Sequence, residues 1–392
     1  MRITTPLRAA IALSAILVLA SCSAPGDAAP SSSSSSDAVA DRTATVTYAG
    51  VVTPSNLDPH RGVTENDIPF LRYIYDPLTT VTPEGVPAPF LAESWELSED
   101  GNTFTMVMRE GATFVDGEPV DAAAVVANLD RMINDPNSTV AYVLAPIIAS
   151  SEVVDERTVK LNLQAPGGAL PTIFASRTGM MVSPKALANP ESLVTTPAGA
   201  GAFELVSSAP GSRYSFERRA DYWDEDAYPY AKLEYLIQVD TATRLNALQA
   251  GETTLTPVVG PQKAEAEAAG LSTWMAEGAG TSFTRLSMNS ARSEFGSKQV
   301  RQAMNAAADR QGIATTLYAG QCVPSAQPYP KGYFAHSDTV DDSGWSTYDP
   351  DAAKKLLDEK FEAFTFSPAG VSIYHLGNLG TARKKLKGWE LK

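Results

Sequence analysis

From Thr43 onward the chain switches repeatedly between two hydrophobic periods, and this switching limits the folds open to it. "TATVTYAGVV" alternates like a strand, and "SNLDPH" follows as a turn marked by Asp and Pro. Phe70, Leu71, Ile74 and Tyr75 share one helical face, and Pro77 ends that helix. "VDAAAVVANLDRMIND" is the clearest helix, with Asp121 as its cap. Val125, Val126, Leu129, Met132 and Ile133 form its apolar stripe. "RTVKLNLQAP" alternates again, placing Val159, Leu161 and Leu163 on one face. "GAFELVSSAPGSRYSFER" predicts two strands about a Pro-Gly turn, and "KLEYLIQVDTATRLNALQAG" a strand running into a helix that Gly251 stops. Asp309 and Asp349 cap two later helices, the second with Pro350 in its first turn. Strands and helices interleave throughout, so the class is α/β, and no internal repeat is present.

The first forty residues are of another kind. The apolar run from Ala9 to Ala20 is shorter than the ~20 residues a membrane span needs. Arg2 and Arg8 precede it, the positive flank of a secretory signal. It ends in Leu19-Ala20-Ser21-Cys22, which resembles the lipobox of bacterial lipoproteins. The resemblance implies cleavage before Cys22 and lipidation of its thiol. Ser31–Ser36, among Gly, Ala and Pro, cannot bury enough apolar surface to fold. They read as a flexible tether, reaching about 5–6 Å times the square root of its length.

The 392 residues are 44% hydrophobic and carry a net charge of -14. That is ample for two or more domains. The acidic balance argues against a nucleic-acid partner, since the one basic run is Arg383-Lys384-Lys385-Leu386-Lys387. With Cys22 lipidated, Cys322 is left as a free thiol. His60, His336 and His375 lie far apart and show no zinc-type spacing. No HExxH, GxSxG, strand-linked GxGxxG or P-loop is present, so no catalytic residue, metal or cofactor is proposed.

Four segments then resemble one family. They are "NLDPH" with "IYDPLTTVTPEGVPAPFLAESWELSEDGNTFTMVMREGATFVDGEPVDAAAVVANLDRM"; "AGAGAFELV" with "RADYWD"; "TRLNALQAGE"; and "SKQVRQAMNAAADRQGIATTLYAGQCVP" followed by "YDPDAAKKLLDE". Together they resemble the solute-binding proteins of bacterial peptide, nickel and opine ABC importers, family 5. The resemblance implies a two-lobed periplasmic-binding-protein fold (class II) with an inserted subdomain. It implies a signal peptide over 1–21, a lipidated linker over 22–42 and lobe I over 43–80 and 196–280. The inserted subdomain would cover 81–195, lobe II 281–360, and the return to lobe I 361–392. It also implies a lipid-anchored, extracytoplasmic, monomeric receptor that captures a peptide or related solute and delivers it to the permease subunits of an importer.

Lobe II is short by this measure, and the junction near Asp358–Phe361 reads as an internal deletion. Val300, Met304, Ile313 and Leu317 are therefore expected to be partly uncovered. Thr53, Pro54 and Ser55, after the first strand, and Tyr142 are the candidate ligand-facing residues. Gly199 and Gly201 either bring backbone N–H groups to a ligand or form a tight crossover between domains. Trp95 and Trp223 read as core or hinge packing. Other readings are a degenerate or partner-binding surface lipoprotein, or an extracytoplasmic hydrolase. Because the acyl chains have no other attachment point, Cys22→Ala is expected to release the protein from membranes. Retention of that variant after a high-salt wash would sink the lipoprotein reading.

Overall fold

The computed structural model describes residues 41–274, 284–341, 344, 347–358 and 371–375. Cys22, the serine tract and the basic finish lie outside the described residues. The strands are β1 (Thr45–Gly50), β2 (Thr79–Val81), β3 (Pro87–Pro89), β4 (Ala92–Leu97), β5 (Thr103–Met108), β6 (Ile148–Val153), β7 (Thr158–Leu163), β8 (Phe203–Ala209), β9 (Arg213–Arg218), β10 (Lys232–Ile237), β11 (Thr284–Met288) and β12 (Val371–His375). One four-stranded sheet has the order β1-β10-β9-β8, and the other β4-β5-β7-β6. The first sheet takes its strands from both ends of the 45–237 stretch. The second is built wholly from the chain between them. Within these two sheets the strands pair antiparallel except β1 with β10, where Thr45 faces Lys232 and Gly50 faces Ile237.

The second sheet shows how sequence period becomes burial. Phe104, Met106 and Met108 of β5 point inward and are fully enclosed, and Val159 and Leu161 of β7 join them. The helix Ala122–Asn134 lays Val125, Leu129 and Met132 over that face. Asp121 caps it as expected, accepting from the Ala124 amide at 2.8 Å. Buried Asn128 donates to Ala124 O and Val182 O, while its own Oδ1 accepts from the Val182 amide. The helix is thereby clamped to the 180–183 segment.

The first sheet buries an aromatic cluster. Phe70 meets Tyr214, Phe216 and Tyr235 edge-on, at centroid distances of 4.8, 5.6 and 5.1 Å. The expected helix here is shorter than its periodicity suggests, covering Ile68–Leu71. Ile74 and Tyr75 are buried nonetheless. The backbone carbonyls of Tyr73 and Ile74 accept from the Phe203 and Gly201 amides. A tertiary pairing thus satisfies carbonyls that the helix, stopped by Pro77, leaves open.

Trp223 packs against both cores, as the expectation of core or hinge packing required. Phe90 meets it edge-on, and the Arg109 guanidinium lies 4.1 Å from its ring centroid. Trp95 is half-buried against the core of the second sheet. Beneath Trp223, buried Asp76 accepts from Trp223 Nε1 and Tyr222 Oη, both at 2.9 Å.

After residue 284 the helices Lys298–Ala306, Arg310–Leu317 and Pro350–Asp358 follow, the first and last packed together. Asp309 and Asp349 cap the last two, accepting from the Gly312 and Ala352 amides. Val300 is 1% exposed, which corrects the expectation that it is uncovered; the packed helix pair encloses it. Met304 is half-buried, whereas Ile313 and Leu317 are 41% and 63% exposed. Of the tail expected to return to lobe I, the described part is β12, which pairs with β11.

Burial pushes the Asp76 carboxyl up from 3.8 to about 7, against the pull of its Trp223 and Tyr222 hydrogen bonds and of Arg72 and Arg219. Between those two values the folded state keeps a proton that the unfolded chain has lost, so stability falls as pH rises. At about 1.4 kcal/mol per pKa unit, this amounts to several kcal/mol. Urea denaturation of the wild type and Asp76→Asn should show the wild type losing ground to the variant across that window. A pH-independent difference would contradict the assignment.

Candidate functional site

Because β1 and β10 run parallel, their carboxyl ends open on one edge of the sheet, the edge where open α/β folds place ligands. Two loops leave there. After β1 the chain runs through Thr53, Pro54 and Ser55; after β10 it runs through Gln238, Val239 and Asp240. Thr53, Ser55, Val239 and Asp240 are exposed, and Pro54 is half-buried. Arg244 supports the second loop from below, its buried Nη1 donating to Gln238 O and Val239 O at 2.8 Å each. Asp240 caps the helix Thr241–Gln249 through the Thr243 amide.

The first loop is held by buried charge. Arg131, from the helix over the second sheet, grips both oxygens of fully buried Asp58. Arg131 Nη1 also donates to His60 Nδ1 at 3.0 Å, and His60 Nε2 donates to Met180 O at 2.9 Å. An arginine beside Nδ1 requires that nitrogen to accept, so the neutral tautomer carries its proton on Nε2. Burial holds the His60 pKa down at about 4, in keeping with that neutral ring. Arg177, also buried, donates to Gly62 O at 2.6 Å, and Arg61 bridges Asp135 and Glu191.

Above this clasp, Ser55 meets buried Asp67 through its amide and its hydroxyl. The Val63 amide donates to Ser55 Oγ at 3.1 Å. Thr139 joins from the other side, its amide donating to His60 O and its hydroxyl to Gly62 O. Ser55, Val63, Gly62 and Thr139 are thus joined by hydrogen bonds, and Tyr142 follows Thr139 by three residues in sequence. Tyr142, in the helix Ala141–Leu144, is 77% exposed, and so is Val63. Sequence reasoning missed Asp67, Val63, Val239 and Arg244. The single available signal was the Asp240–Arg244 spacing of one helical turn.

Gly199 and Gly201 approach the chain's own backbone. A Cβ at either position would overlap Ile74, and the Gly201 amide donates to Ile74 O at 2.8 Å. Of the two alternatives, this geometry is that of a crossover.

Among the described residues no group of three His, Cys, Asp or Glu is placed to hold a metal ion. No described helix is long and apolar enough to cross a membrane. Cys322 is half-buried and unpaired. A separate cavity of about 610 Å³ lies beside the helix Lys298–Ala306, lined by Lys298, Arg301, Gln302 and Val340 among others. None of the expected site residues lines it.

Residues 86–361 match the family described as bacterial extracellular solute-binding proteins, family 5 (middle). The chain belongs to that family. The glutathione-binding protein GsiB of Salmonella typhimurium is 31% identical over 298 residues, 76% of this chain and 57% of GsiB. The Escherichia coli K12 protein of the same name is 30% identical over the same shares. The chain therefore spans little more than half the length of these family 5 relatives. Among solved structures, AgaA of A. tumefaciens R10 in complex with agropinic acid is similar with a TM-score of 0.68 and 28% identity. The match covers 81% of this chain and 64% of AgaA. DppA of Helicobacter pylori, in complex with the peptide STSA, matches with a TM-score of 0.68 at 21% identity, over 82% and 66% of the two chains. The architecture is the two-lobed α/β fold of the periplasmic binding proteins.

Removing one partner of a buried ion pair leaves the other charge uncompensated, at a cost of about 3–5 kcal/mol. Arg131→Met is expected to destabilise the fold by that amount in urea denaturation. Adding Asp58→Asn to it should recover part of the loss. If the double variant is no more stable than the single, the pair is not the support of the first loop.

Proposed function

We propose that this chain is a membrane-tethered receptor that captures a small peptide-like solute and delivers it to the permease subunits of an ABC importer. The observation that carries this reading is the edge where β1 and β10 end, with exposed hydroxyl and apolar side chains on a loop tied down by the Asp58–Arg131 ion pair. Thr53, Pro54, Ser55 and Tyr142 face the solute in this reading, and Val63 and Val239 add apolar contact. Membership of family 5 supports it, as does the binding of glutathione and agropinic acid by the relatives so named. The part before Gly280, with its inserted subdomain over 81–195, forms the lobe that offers this edge. The part after it forms the second lobe. Binding favours the closed arrangement of the lobes by its differential affinity for that arrangement, and no bond is made or broken. Lipidation of Cys22 and the serine tether place the receptor outside the cytoplasm as a monomer held to the membrane.

A second reading has its own observation. Among the described residues between Ile313 and Tyr348, seven large apolar side chains are 37–86% exposed, Leu317, Val323 and Phe334 among them. A shortened second lobe that binds a protein partner in place of a solute accounts for that exposure.

Thermal melting against glutathione, dipeptides, an opine and a nickel chelate separates the two. A solute at ~100 times its Kd adds about 2.7 kcal/mol of stability. A shift with one panel member, abolished by substitutions at Ser55 and Tyr142, is the expected result. No shift with any member at millimolar concentration would favour the second reading.

A further inference from the structure

The buried residues of both hydrophobic cores all precede Gln238. The part beginning at Thr284 is therefore held to the rest by surface contacts. One lies on the path between the parts, where Gln321 Nε2 donates to Gly260 O at 2.9 Å. Another is far from that path in sequence, and it joins residues 327–337 to the turn between β2 and β3.

The 327–337 segment is a compact loop closed by its own polar groups. At its base Gln327 Nε2 donates to Ser337 O at 2.9 Å, and the Ser337 amide donates back to Gln327 Oε1 at 3.0 Å. Inside, the Tyr333 amide donates to Pro330 O and the His336 amide to Tyr333 O, while His336 Nδ1 lies 3.0 Å from Tyr329 O. Tyr329 and Tyr333 stack at 5.4 Å with an interplanar angle of 17°, and Phe334 packs on Tyr333 at 5.0 Å. Loops with joined ends and their own internal packing hold a fixed shape.

The tip of this loop fits one place on the other part. The Phe334 amide donates to Glu84 O at 3.0 Å. The Tyr333 ring occupies the space a side chain at position 85 would need, and Gly85 leaves it empty. Gly85 has φ +81°, as its turn requires. The Tyr333 ring and the glycine turn are thus shaped to each other.

We propose that residues 327–337 form a latch that seats Tyr333 on the Glu84–Gly85 turn and restrains the two parts from swinging apart. The hydrogen-bonded base makes the loop rigid enough to pass force between the parts. Because it bridges them away from the connecting chain, release of the latch is a required step in opening. The contact stands independently of which solute, if any, the chain binds.

The test uses two variants, one on each side. Tyr333→Ala removes the ring; Gly85→Asn fills its seat with a residue that tolerates positive φ. Amide hydrogen exchange at Phe334 is expected to speed up roughly tenfold or more in both, the loss of about one hydrogen bond's worth of protection. The radius of gyration from small-angle scattering should rise in both. Ser337, bonded within the loop, should keep its protection, which separates release of the latch from unfolding of the loop. If Ser337 also loses protection in Tyr333→Ala, the Gly85→Asn result decides, because that change leaves the loop sequence intact. Unchanged exchange at Phe334 in Gly85→Asn, or faster exchange with an unchanged radius of gyration, would overturn the proposal.

Discussion

The ion pair between Asp58 and Arg131 is the contact on which the rest of the arrangement depends. Asp58 belongs to the loop that follows the first strand, and Arg131 to the helix covering the second sheet. Two charges taken out of water stay ionised together only if each is met by well-placed partners. Here the arginine takes both carboxylate oxygens and shares a nitrogen with His60. The imidazole passes the restraint on to Met180 O. One polar chain therefore links the loop, the helix and the segment returning to the first sheet. Ser55, in the same loop, is held in turn by Asp67.

A second junction does the same for the two cores. Trp223 contacts both, and the carboxyl of Asp76 sits beneath it with two donors aimed at one oxygen. Apolar burial alone would let the two sheets slide, since dispersion is not directional. Directed hydrogen bonds at a buried carboxyl remove that freedom. Gly199 and Gly201 complete the junction by letting one backbone lie directly on another. Neither glycine has room for a ligand on that side. The parts of the chain that meet solvent at the edge are thus carried on a frame with little freedom of its own.

Much of this was legible from local signals. Asp121, Asp309 and Asp349 each cap the helix they were expected to cap, because a cap is decided within three or four residues. The alternation of β5 and β7 and the stripe of the Ala122–Asn134 helix became burial directly. The Ile68–Leu71 helix was misjudged in length, because the turns after it tighten, the Tyr73 and Ile74 amides bonding back three residues to Phe70 O and Leu71 O. The candidate site was legible only in outline. Ser55 could be placed after a strand, but its partners Asp67 and Val63, and the tie through Thr139 toward Tyr142, join residues with no periodic relation in sequence.

The sequence by itself determined the fold class, the helix ends, the faces that go inward and the family, since each rests on short-range pattern or on motifs read along the chain. Tertiary structure decided the rest. It paired β1 with β10 in parallel, buried Asp58, His60 and Arg177 around the partly buried Arg131 as one clasp, covered Val300 and seated Tyr333 on Gly85. The physical reason is range. A cap or an amphipathic stripe is settled within a turn or two of helix. A buried charge or an empty glycine seat has meaning only once the distant group that fills it has arrived.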